Sequence, residues 1–396
     1  MSRFRLQPTS DQVMGLVGHC RHARYVWNLC VEQQSWWAQW RGAAPGFAER
    51  CRQLTEARSV FGWLAAGSVT VQQQALRDFG QAMSNFFAGT HRRPTWRKAG
   101  RHESFRITAV KPSDVRRLSR RVGEVRVPKV GWVRFRWSRA VPGAKSYRVT
   151  RDRAGRWHIA FAVVPAPITT PDSGATVGID RGISVSAALS TGQLLSCPVP
   201  SKFETARLAR LQRRLAKATR GSKRRARLKA AIGRTKARQT DRRKDWTEKI
   251  STDLARRFDR MAFEDLRVTA MVASAKGTSE APGWNVRQKA GLNRSILQHA
   301  WGGLLQRTKN KAPGRVILVP AAYTSQRCSA CGHVAAENRE SQSVFACRAC
   351  GYAVNADVNS AKNIDTAAGH AVVQRGEGTR AAGPKNREPQ LVSSVT

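Results

Sequence analysis

The sequence predicts a multidomain protein of the α+β class, and three observations lead to that prediction. The chain has 396 residues, 41% of them hydrophobic, which is enough for more than one folded domain. Its apolar residues recur at helical spacing over 11–40 and 68–87 but alternate over 123–163. A Pro-, Thr- and Ser-rich stretch at 165–174 then precedes a second region that contains two Cys pairs.

The N-terminal region is expected to open with a short strand, FRLQP, ahead of the two helices. The second of these helices places Val71, Leu76 and Phe79 on or near one face. Three alternating segments follow, each typical of a strand: VRVPKVGWVRFRW, SYRVTRD and RWHIAFAVV. This order predicts helices first and successive strands after them.

The C-terminal region is expected to begin with strands in TVGIDRGISVSAALSTGQLL. A long basic helical stretch covers 203–244, and Gly221 with Ser222 predicts a break in it. A short buried strand, RMAFEDL, precedes a loop at 267–285, one helix over 292–305 and a strand in RVILVP. The last predicted element is a short helix that opens at Asp357.

Charge identifies the class of partner. With 70 Lys and Arg against 26 Asp and Glu, the formal net charge is +44. A field of this sign and size attracts polyanions, so nucleic acid is the expected partner and an anionic membrane surface is the alternative. No apolar run approaches the roughly 20 residues of a membrane span, and no signal peptide is recognised at the N-terminus. We therefore expect no membrane contact and a cytoplasmic location.

Basic residues also surround aromatic ones before the predicted strands. Trp96 and Phe105 lie among Arg92, Arg93, Arg97 and Arg101, so they are candidates for stacking on bases, although core packing is the simpler role. The helices at 203–244 are candidates for gripping the backbone of structured RNA or an RNA–DNA duplex, whereas the simpler role is that of a solvated helix face.

The eight Cys fall into two kinds. Cys20, Cys30, Cys51 and Cys197 are single, which is typical of buried thiols, whereas CSAC and CRAC each place two thiols two residues apart. The paired residues, Cys328, Cys331, Cys347 and Cys350, predict a closed tetrahedral zinc site that folds the segment and does no chemistry. A redox disulfide is the alternative, and His333 is a possible substitute ligand.

Three acidic residues stand out because the chain has few of them. Asp180 lies in apolar GIDRG, Glu264 in apolar AFEDL, and Asp357 at a predicted helix start. Acids in such surroundings are unfavourable unless they pair or bind a metal, and three together would hold two Mg²⁺ ions for phosphodiester cleavage. The alternatives are a turn residue for Asp180, a salt-bridge partner for Glu264, with Asp265 as the competing acid, and an N-cap for Asp357.

These motifs resemble a known family. GIDRG with its following hairpin, FEDLRVTAM, and the Cys segment ending in ADVNSAKNI resemble the split RuvC nuclease of TnpB proteins. These are transposon-encoded RNA-guided DNA nucleases, similar to the ancestors of compact type V CRISPR effectors. LNRSILQHAWGGLLQRTKNKA and TSQRCSACGHVAAENRESQSVFACRACG also resemble family segments, as do FRLQPTSDQ and RHARYVWN near the N-terminus.

The resemblance implies a domain organisation. It places a β-barrel-like wedge domain at 1–12 and 100–168, interrupted by a helical recognition domain at 13–99. An RNase H-like (RuvC) α/β domain would occupy 175–325 and 353–368, with the zinc ribbon inserted at 326–352. A basic tail over 369–396 is predicted to be disordered.

The resemblance also implies chemistry. Asp180, Glu264 and Asp357 match the three RuvC carboxylates, which would bind catalytic Mg²⁺, and the four paired Cys match the ligands of a structural Zn²⁺. Asn355 departs from the family, because many relatives carry an acid at that position. The implied activity is Mg²⁺-dependent cleavage, directed by a structured guide RNA, of double-stranded DNA beside a short adjacent motif, leaving a 5′-phosphate and a 3′-hydroxyl.

Other functions stay open from the sequence. They are a repressor-like RNA-guided binder without cleavage, a compact type V CRISPR effector, a zinc-dependent nucleic-acid binder without a guide, and a DNA transposase. The three intact acids argue against the first, because a binding protein has no physical need for them in a polyanion channel. Gln72, Gln73, Gln74 and the RHARY segment are the places where the adjacent motif is expected to be read.

Overall fold

The computed structural model describes residues 2–38, 40, 42, 44–101, 103–170 and 172–376. The chain divides into two compact units. One contains 1–165 and 206–237, and the other contains 166–205 and the chain from 238 onward. No helix within the described part of the chain has the length and apolar character that crossing a membrane requires.

The first unit begins with one strand and four helices. The strand is β1 (Ser2–Arg5), and the helices are α1 (Ser10–Ser35), α2 (Phe47–Val60), α3 (Gly62–Ala65) and α4 (Val69–Phe87). Thr9 and Gln12 form a capping box that fixes the start of α1. The helix predicted to reach 40 ends at Ser35, and α2 and α3 were not predicted, because α2 buries little apolar surface beyond Leu54.

Antiparallel strands complete the first unit. They are β2 (Ser104–Thr108), β3 (Val115–Arg117), β4 (Val122–Val127), β5 (Gly131–Arg136), β6 (Ser146–Arg151) and β7 (Trp157–Phe161). One sheet has the order β1-β7-β6-β2 and a second has β3-β4-β5. Phe4, Phe135 and Phe161 meet edge to face in the core that these sheets share with α1 and α4.

The remaining elements follow in chain order. The strands are β8 (Thr176–Asp180), β9 (Ala187–Leu189), β10 (Leu194–Leu195), β11 (Arg260–Glu264), β12 (Val316–Val319), β13 (Val344–Ala346) and β14 (Ala353–Asn355). The helices are α5 (Lys202–Ala216), α6 (Lys223–Arg257), α7 (Val268–Met271), α8 (Val286–Gln298), α9 (Trp301–Lys311) and α10 (Ala356–Gly376). The gap between α5 and α6 contains Gly221, where a break was predicted.

A five-stranded sheet organises the second unit. Its order is β10-β9-β8-β11-β12. β8, β11 and β12 run parallel, whereas β9 and β10 form an antiparallel extension. Ile179 of β8 pairs with Phe263 of β11, so the next residue of each strand lies at the same carboxyl edge of the sheet.

Helix α10 packs against β8 through Gly178. A Cβ atom at Gly178 would lie 2.0 Å from the backbone oxygen of Ala361 and 2.6 Å from the backbone nitrogen of Asp365. Ser190 fixes the same contact, because its Oγ accepts from the Gly178 N–H and donates to the Asp365 carboxylate at 3.0 Å. Only glycine therefore allows the helix to approach the strand this closely.

Two further predictions were wrong. The helix predicted over 292–305 is divided between α8 and α9 at Ala300, whose φ of 58° breaks the helix and lets the Trp301 indole donate to the Gly182 carbonyl at 3.0 Å. The tail predicted to be disordered from 369 is helical as far as Gly376, because this part of the chain is rich in Ala, a strong helix former. Positions 377–396 of that prediction lie outside the described residues.

Candidate metal centres and nucleic-acid surfaces

Two predicted acidic residues occupy the carboxyl edge of the sheet. Asp180 is the last residue of β8 and Glu264 is the last residue of β11, the neighbouring parallel strand. Glu264 is buried and accepts a hydrogen bond of 2.6 Å from the Thr324 hydroxyl, whereas the competing acid Asp265 is exposed. Because the carboxyl ends of parallel strands are the usual position of ligand-binding groups, this edge is the candidate site.

The third acid comes from the start of α10. Asp357 is the second residue of the helix and is buried. Asn355, rather than Asp357, supplies the helix cap, because its side-chain oxygen accepts from the backbone N–H groups of Asp357 at 3.1 Å and Val358 at 3.2 Å. The departure at Asn355 therefore has a structural role, and the carboxylate of Asp357 is not used as an N-cap.

The charges of the three acids are coupled. Burial, followed by the nearby charges of Glu264 and Asp357, raises the pKa of Asp180 to about 8. Burial also raises the pKa of Asp357, while Arg339 opposes that shift with an ion pair of 3.3 Å to Asp357 Oδ1. Such mutual repulsion is expected of carboxylates that share a site for cations.

Arg181 is a site residue that the sequence interpretation missed. It is buried, and its Nη2 donates to the backbone carbonyl of Glu264. Burial lowers the pKa of this guanidinium, while Glu264, Asp180 and Asp265 oppose the shift. Its Nε and Nη1 are buried without a hydrogen-bond partner in the described part of the chain. A cation beside the acids balances part of their charge, but one Arg among 70 basic residues gave no sequence signal for this role.

The four paired Cys form the predicted zinc site. Their sulfur atoms all lie within 4.8 Å of one another, with 3.8 Å between Cys328 and Cys350 and 3.6 Å between Cys331 and Cys347. Zn–S bonds of about 2.3 Å in a tetrahedron require sulfurs about 3.8 Å apart, so the geometry fits zinc. In the described ranges this is the one group of His, Cys, Asp or Glu arranged to hold an ion as it stands, and the three acids do not form such a group.

Local backbone geometry prepares the thiols. Gly332 (φ 79°) and Gly351 (φ 72°) adopt the left-handed conformation after each pair, where their N–H groups donate to the carbonyls of Cys328 and Cys347. Burial would raise the pKa of the Cys347 thiol, but hydrogen bonds from the backbone N–H groups of Cys350 and Ala349 dominate and lower it to about 6. A thiolate is the form that binds metal.

Asparagines fasten this zinc ribbon to the helix of Asp357. Asn359 and Asn363 of α10 both donate to the Arg327 carbonyl at 2.7 Å, and Asn359 also accepts from the Ser329 N–H at 3.0 Å. Asn338, fully buried within the ribbon, donates to Gln326. The sequence signal was the four-residue spacing of Asn359 and Asn363, which places them on one helix face.

The predicted basic surface at 203–244 is formed by the helices α5 and α6. α5 buries none of its residues. Two arginines of α6 hold it in place: Arg225 donates to the Leu215 carbonyl at 2.8 Å, and Arg242 donates to the Glu204 carboxylate at 2.6 Å. Arg207, Arg210 and Arg213 of α5 are exposed, so they lie where a phosphate backbone can reach them.

Among the aromatic and glutamine residues predicted to contact nucleic acid in the first unit, some are exposed and others are buried in the core. Phe105 lies in the core against His19, so the stacking role suggested for it is wrong, whereas Trp96 is 52% exposed. Gln72 is also in the core, bonded to Arg58 and the Leu64 carbonyl, whereas Gln73 is exposed. Gln72 therefore cannot read DNA.

Comparisons with known proteins agree with this arrangement. A family model described as "Probable transposase" matches residues 146–275, and one described as "Cas12f1-like, TNB domain" matches 301–364. The latter range contains the zinc ribbon and Asp357. A solved structure of a Cas12f1–sgRNA–target DNA complex shares the fold, with a TM-score of 0.55 at 14% identity over 90% of this chain and 82% of that one.

Two curated relatives match along the whole chain, and a third matches part of it. The putative RNA-guided DNA endonuclease InsQ of Escherichia coli is 35% identical over 100% of this chain and 98% of its own length. A putative RNA-guided DNA endonuclease of Streptomyces pristinaespiralis is 31% identical over 100% of this chain and 93% of its own. TnpB-like protein L79 of a mimivirus is 27% identical over 36% of this chain and 26% of its own. The chain therefore belongs to the TnpB family.

Proposed function

We propose that this chain is a transposon-associated RNA-guided DNA endonuclease that cuts guide-complementary DNA at Asp180, Glu264 and Asp357. The observation that carries the proposal is the position of three acids, at the ends of two neighbouring parallel strands and at a helix start, with Glu264 and Asp357 near enough to contribute to the raised pKa of Asp180, in a chain of net charge +44. Relatives named RNA-guided DNA endonucleases match the chain from end to end and support the same activity.

The acids would bind Mg²⁺, whose preference for oxygen ligands suits a site of three carboxylates. Mg²⁺ held by these carboxylates would supply the Lewis-acid chemistry of phosphodiester hydrolysis, with a 5′-phosphate and a 3′-hydroxyl as the expected products. Thr324 would orient the Glu264 carboxylate, and Arg339 would hold one oxygen of Asp357. The raised pKa of Asp180 supports this role, because a bound cation would offset both the burial and the repulsion by Glu264 and Asp357 that raise it.

The domain assignments are part of the same proposal. The five-stranded sheet with α10 would be the RuvC domain, and the Cys ribbon would be its insertion. The two antiparallel sheets of the first unit would form the wedge domain, with α1 to α4 as the recognition domain. Guide RNA would bind through phosphate contacts along basic surfaces such as α5 and α6, while pairing with the guide reads the DNA sequence.

A polar groove of about 470 Å³ in the first unit would read the motif beside the target. Gln81 and Asn85 line it from α4 and are accessible, whereas Gln74, which also lines it, is buried. Amides such as these pair with adenine, and arginines pair with guanine, in the major groove. Arg148 of β6 and Arg106 of β2 also line the groove. Each forms an ion pair with Asp78, at 2.7 Å for Arg148 and 3.5 Å for Arg106.

Expression of the chain with its native flanking DNA, followed by purification of the protein–RNA complex, tests the activity. A plasmid that carries the complement of the copurified RNA is the substrate, with Mg²⁺ or EDTA. We expect Asp180→Asn and Glu264→Gln to abolish cutting but to retain RNA and target binding. Asp265→Asn, the exposed neighbour, is the matched control and should cut normally. Equal cutting by Asp180→Asn and wild type would disprove the catalytic assignment, and binding without cutting by wild type would favour the repressor-like alternative.

A further inference from the structure

A second cavity of the first unit has a different chemistry from the polar groove. Its volume is about 380 Å³, within the roughly 300–1,000 Å³ of ligand pockets. α1 contributes one wall and α3 another, and the segment before β2 closes it. The lining side chains that matter are Arg21, Tyr25, Leu29, Glu32, Trp63 and Trp96.

The aromatic walls of this cavity are accessible. Tyr25 is 41% exposed, Trp63 is 49% exposed and Trp96 is 52% exposed. Tyr25 and Trp63 meet edge to face with centroids 4.8 Å apart, and the His22 ring supports Trp63 at 5.6 Å. Large rings that are held in place but leave much of their surface to solvent are typical of platforms on which bases stack.

Glu32 supplies an acidic group at this cavity. It is half-buried, and its carboxylate has no hydrogen-bond or ion-pair partner among the residues that the structure describes, although the chain holds 70 Lys and Arg. Nearby Arg24 is already paired with Glu103 at 2.9 Å. A lone carboxylate repels phosphate but accepts hydrogen bonds from N–H groups. The cavity therefore suits the edge of a base, with the phosphate outside near Arg21.

We propose that this cavity binds an unpaired guanine of the bound guide RNA, an inference that rests on the proposed function. Guanine places two neighbouring N–H donors on its Watson–Crick edge, which match the two oxygens of one carboxylate. The base would stack on Trp63 or Trp96 while Glu32 accepts its N–H groups. RNA is the source because its loops present unstacked bases, whereas a base of duplex DNA must first be unpaired and extruded.

Ultraviolet cross-linking of the purified protein–RNA complex tests this site. After nuclease and protease digestion, mass spectrometry should find guanosine on a peptide that contains Trp63 or Trp96. We expect Trp63→Ala to remove the adduct and to weaken binding of the copurified RNA about ten-fold, as loss of one stacking ring does. Trp63→Phe should restore most of the affinity, and Glu32→Gln should weaken binding of this RNA more than of the same RNA with inosine, which lacks the 2-amino group.

Trp36→Ala is the matched control, because Trp36 is 64% exposed in the same unit and does not line the cavity. An adduct with target DNA instead of RNA would overturn the proposal, as would unchanged RNA affinity in both Trp63→Ala and Glu32→Gln. In either case continued RNA-guided cutting would leave the proposed function intact. If no defined RNA copurifies with the wild-type chain, the proposed function fails together with the cavity assignment.

Discussion

The zinc ribbon and the acidic centre are both candidate metal sites, but they are built in different ways. The ribbon draws its ligands from two tight turns close together in sequence, and its sulfurs already stand at zinc distances. The acids come from two strands and a helix far apart in sequence, and they repel one another. The first site can therefore form by local folding, whereas the second exists only once the sheet and α10 are assembled.

The two sites are physically joined. Asn359 and Asn363 tie α10 to the ribbon backbone, and Arg339 of the ribbon region contacts Asp357. We therefore propose that the Cys ribbon supports the position of one acid. This dependence in one direction, with zinc needed for the acids but not the acids for zinc, can be tested by mutation.

Cys328→Ser should have the largest effect, because loss of one ligand unfolds the ribbon and releases α10. We expect loss of bound zinc and a fall in target cutting of at least about a hundred-fold, as for mutation of supporting residues around a metal. Metal analysis and plasmid cleavage measure the two results. Cys197→Ser, a buried Cys outside the group, is the control and should retain its zinc. Full zinc content in Cys328→Ser would mean that this thiol is not a ligand.

Gly178→Ala should disrupt the acidic centre without touching the ribbon. The new methyl group would meet the Ala361 carbonyl at 2.0 Å and push α10 away from β8. Overpacking of this kind costs about 1–3 kcal/mol or more, so we expect a lower melting temperature and weak cutting with zinc content unchanged. Gly302→Ala, in helix α9 with open space around it, should be neutral or slightly stabilising. Similar stability of Gly178→Ala and wild type would contradict the packing described above.

Asn359→Ala combined with Asn363→Ala should separate the two sites most cleanly. The Arg327 carbonyl would lose two donors, at about 1–3 kcal/mol for buried groups left unsatisfied. We expect zinc to stay bound while cutting falls about ten-fold and RNA binding is unchanged. Asn310→Ala on α9, whose side chain bonds only the exposed Gln306, serves as control. If the double variant cuts at the wild-type rate, the ribbon does not position Asp357.

Asp180→Asn should change the stability of the metal-free protein in the opposite direction. The folded-state pKa of Asp180 is about 8, above the ordinary value of 3.8, so the folded protein binds the extra proton between these values. Stability of metal-free wild type should therefore fall as pH rises from about 4 to 8, by up to about 1.4 kcal/mol per pH unit for this group. The variant lacks this loss, so at pH 8 without Mg²⁺ it should melt higher than wild type. A lower melting temperature would contradict the electrostatic account.

The parts of the fold that follow from local pattern could be predicted from the sequence. The Cys spacing and the alternation at β4 to β7 depend on neighbouring residues, so sequence alone carries them. Helix α2 could not be predicted, because its contacts are made by residues such as Arg50 and Leu54 that lack a strong apolar stripe. The division at Ala300 also escaped prediction, because it depends on contacts of Trp301 with a distant loop.

Prediction of the site residues from sequence has the same limit. Asp180, Glu264 and Asp357 could be identified from the sequence because the chain has few acids. A carboxylate in an apolar segment is unfavourable unless it pairs or binds a metal. Arg181 was missed because one Arg among many basic residues carries no signal until the structure buries it beside Glu264. Gln72 and Phe105 were wrongly predicted to contact nucleic acid, because their burial depends on tertiary packing and cannot be predicted from neighbouring residues.

A guide exchange tests the central claim most directly. The segment of the copurified RNA that pairs with DNA is replaced by an unrelated sequence, and the reconstituted complex meets two plasmids, each complementary to one guide. We predict that cutting moves to the plasmid matching the new guide, in wild type and in Asp265→Asn, and is absent in Asp180→Asn. Cutting that ignores the exchange, or that persists in Asp180→Asn, would contradict an RNA-guided nuclease centred on these acids.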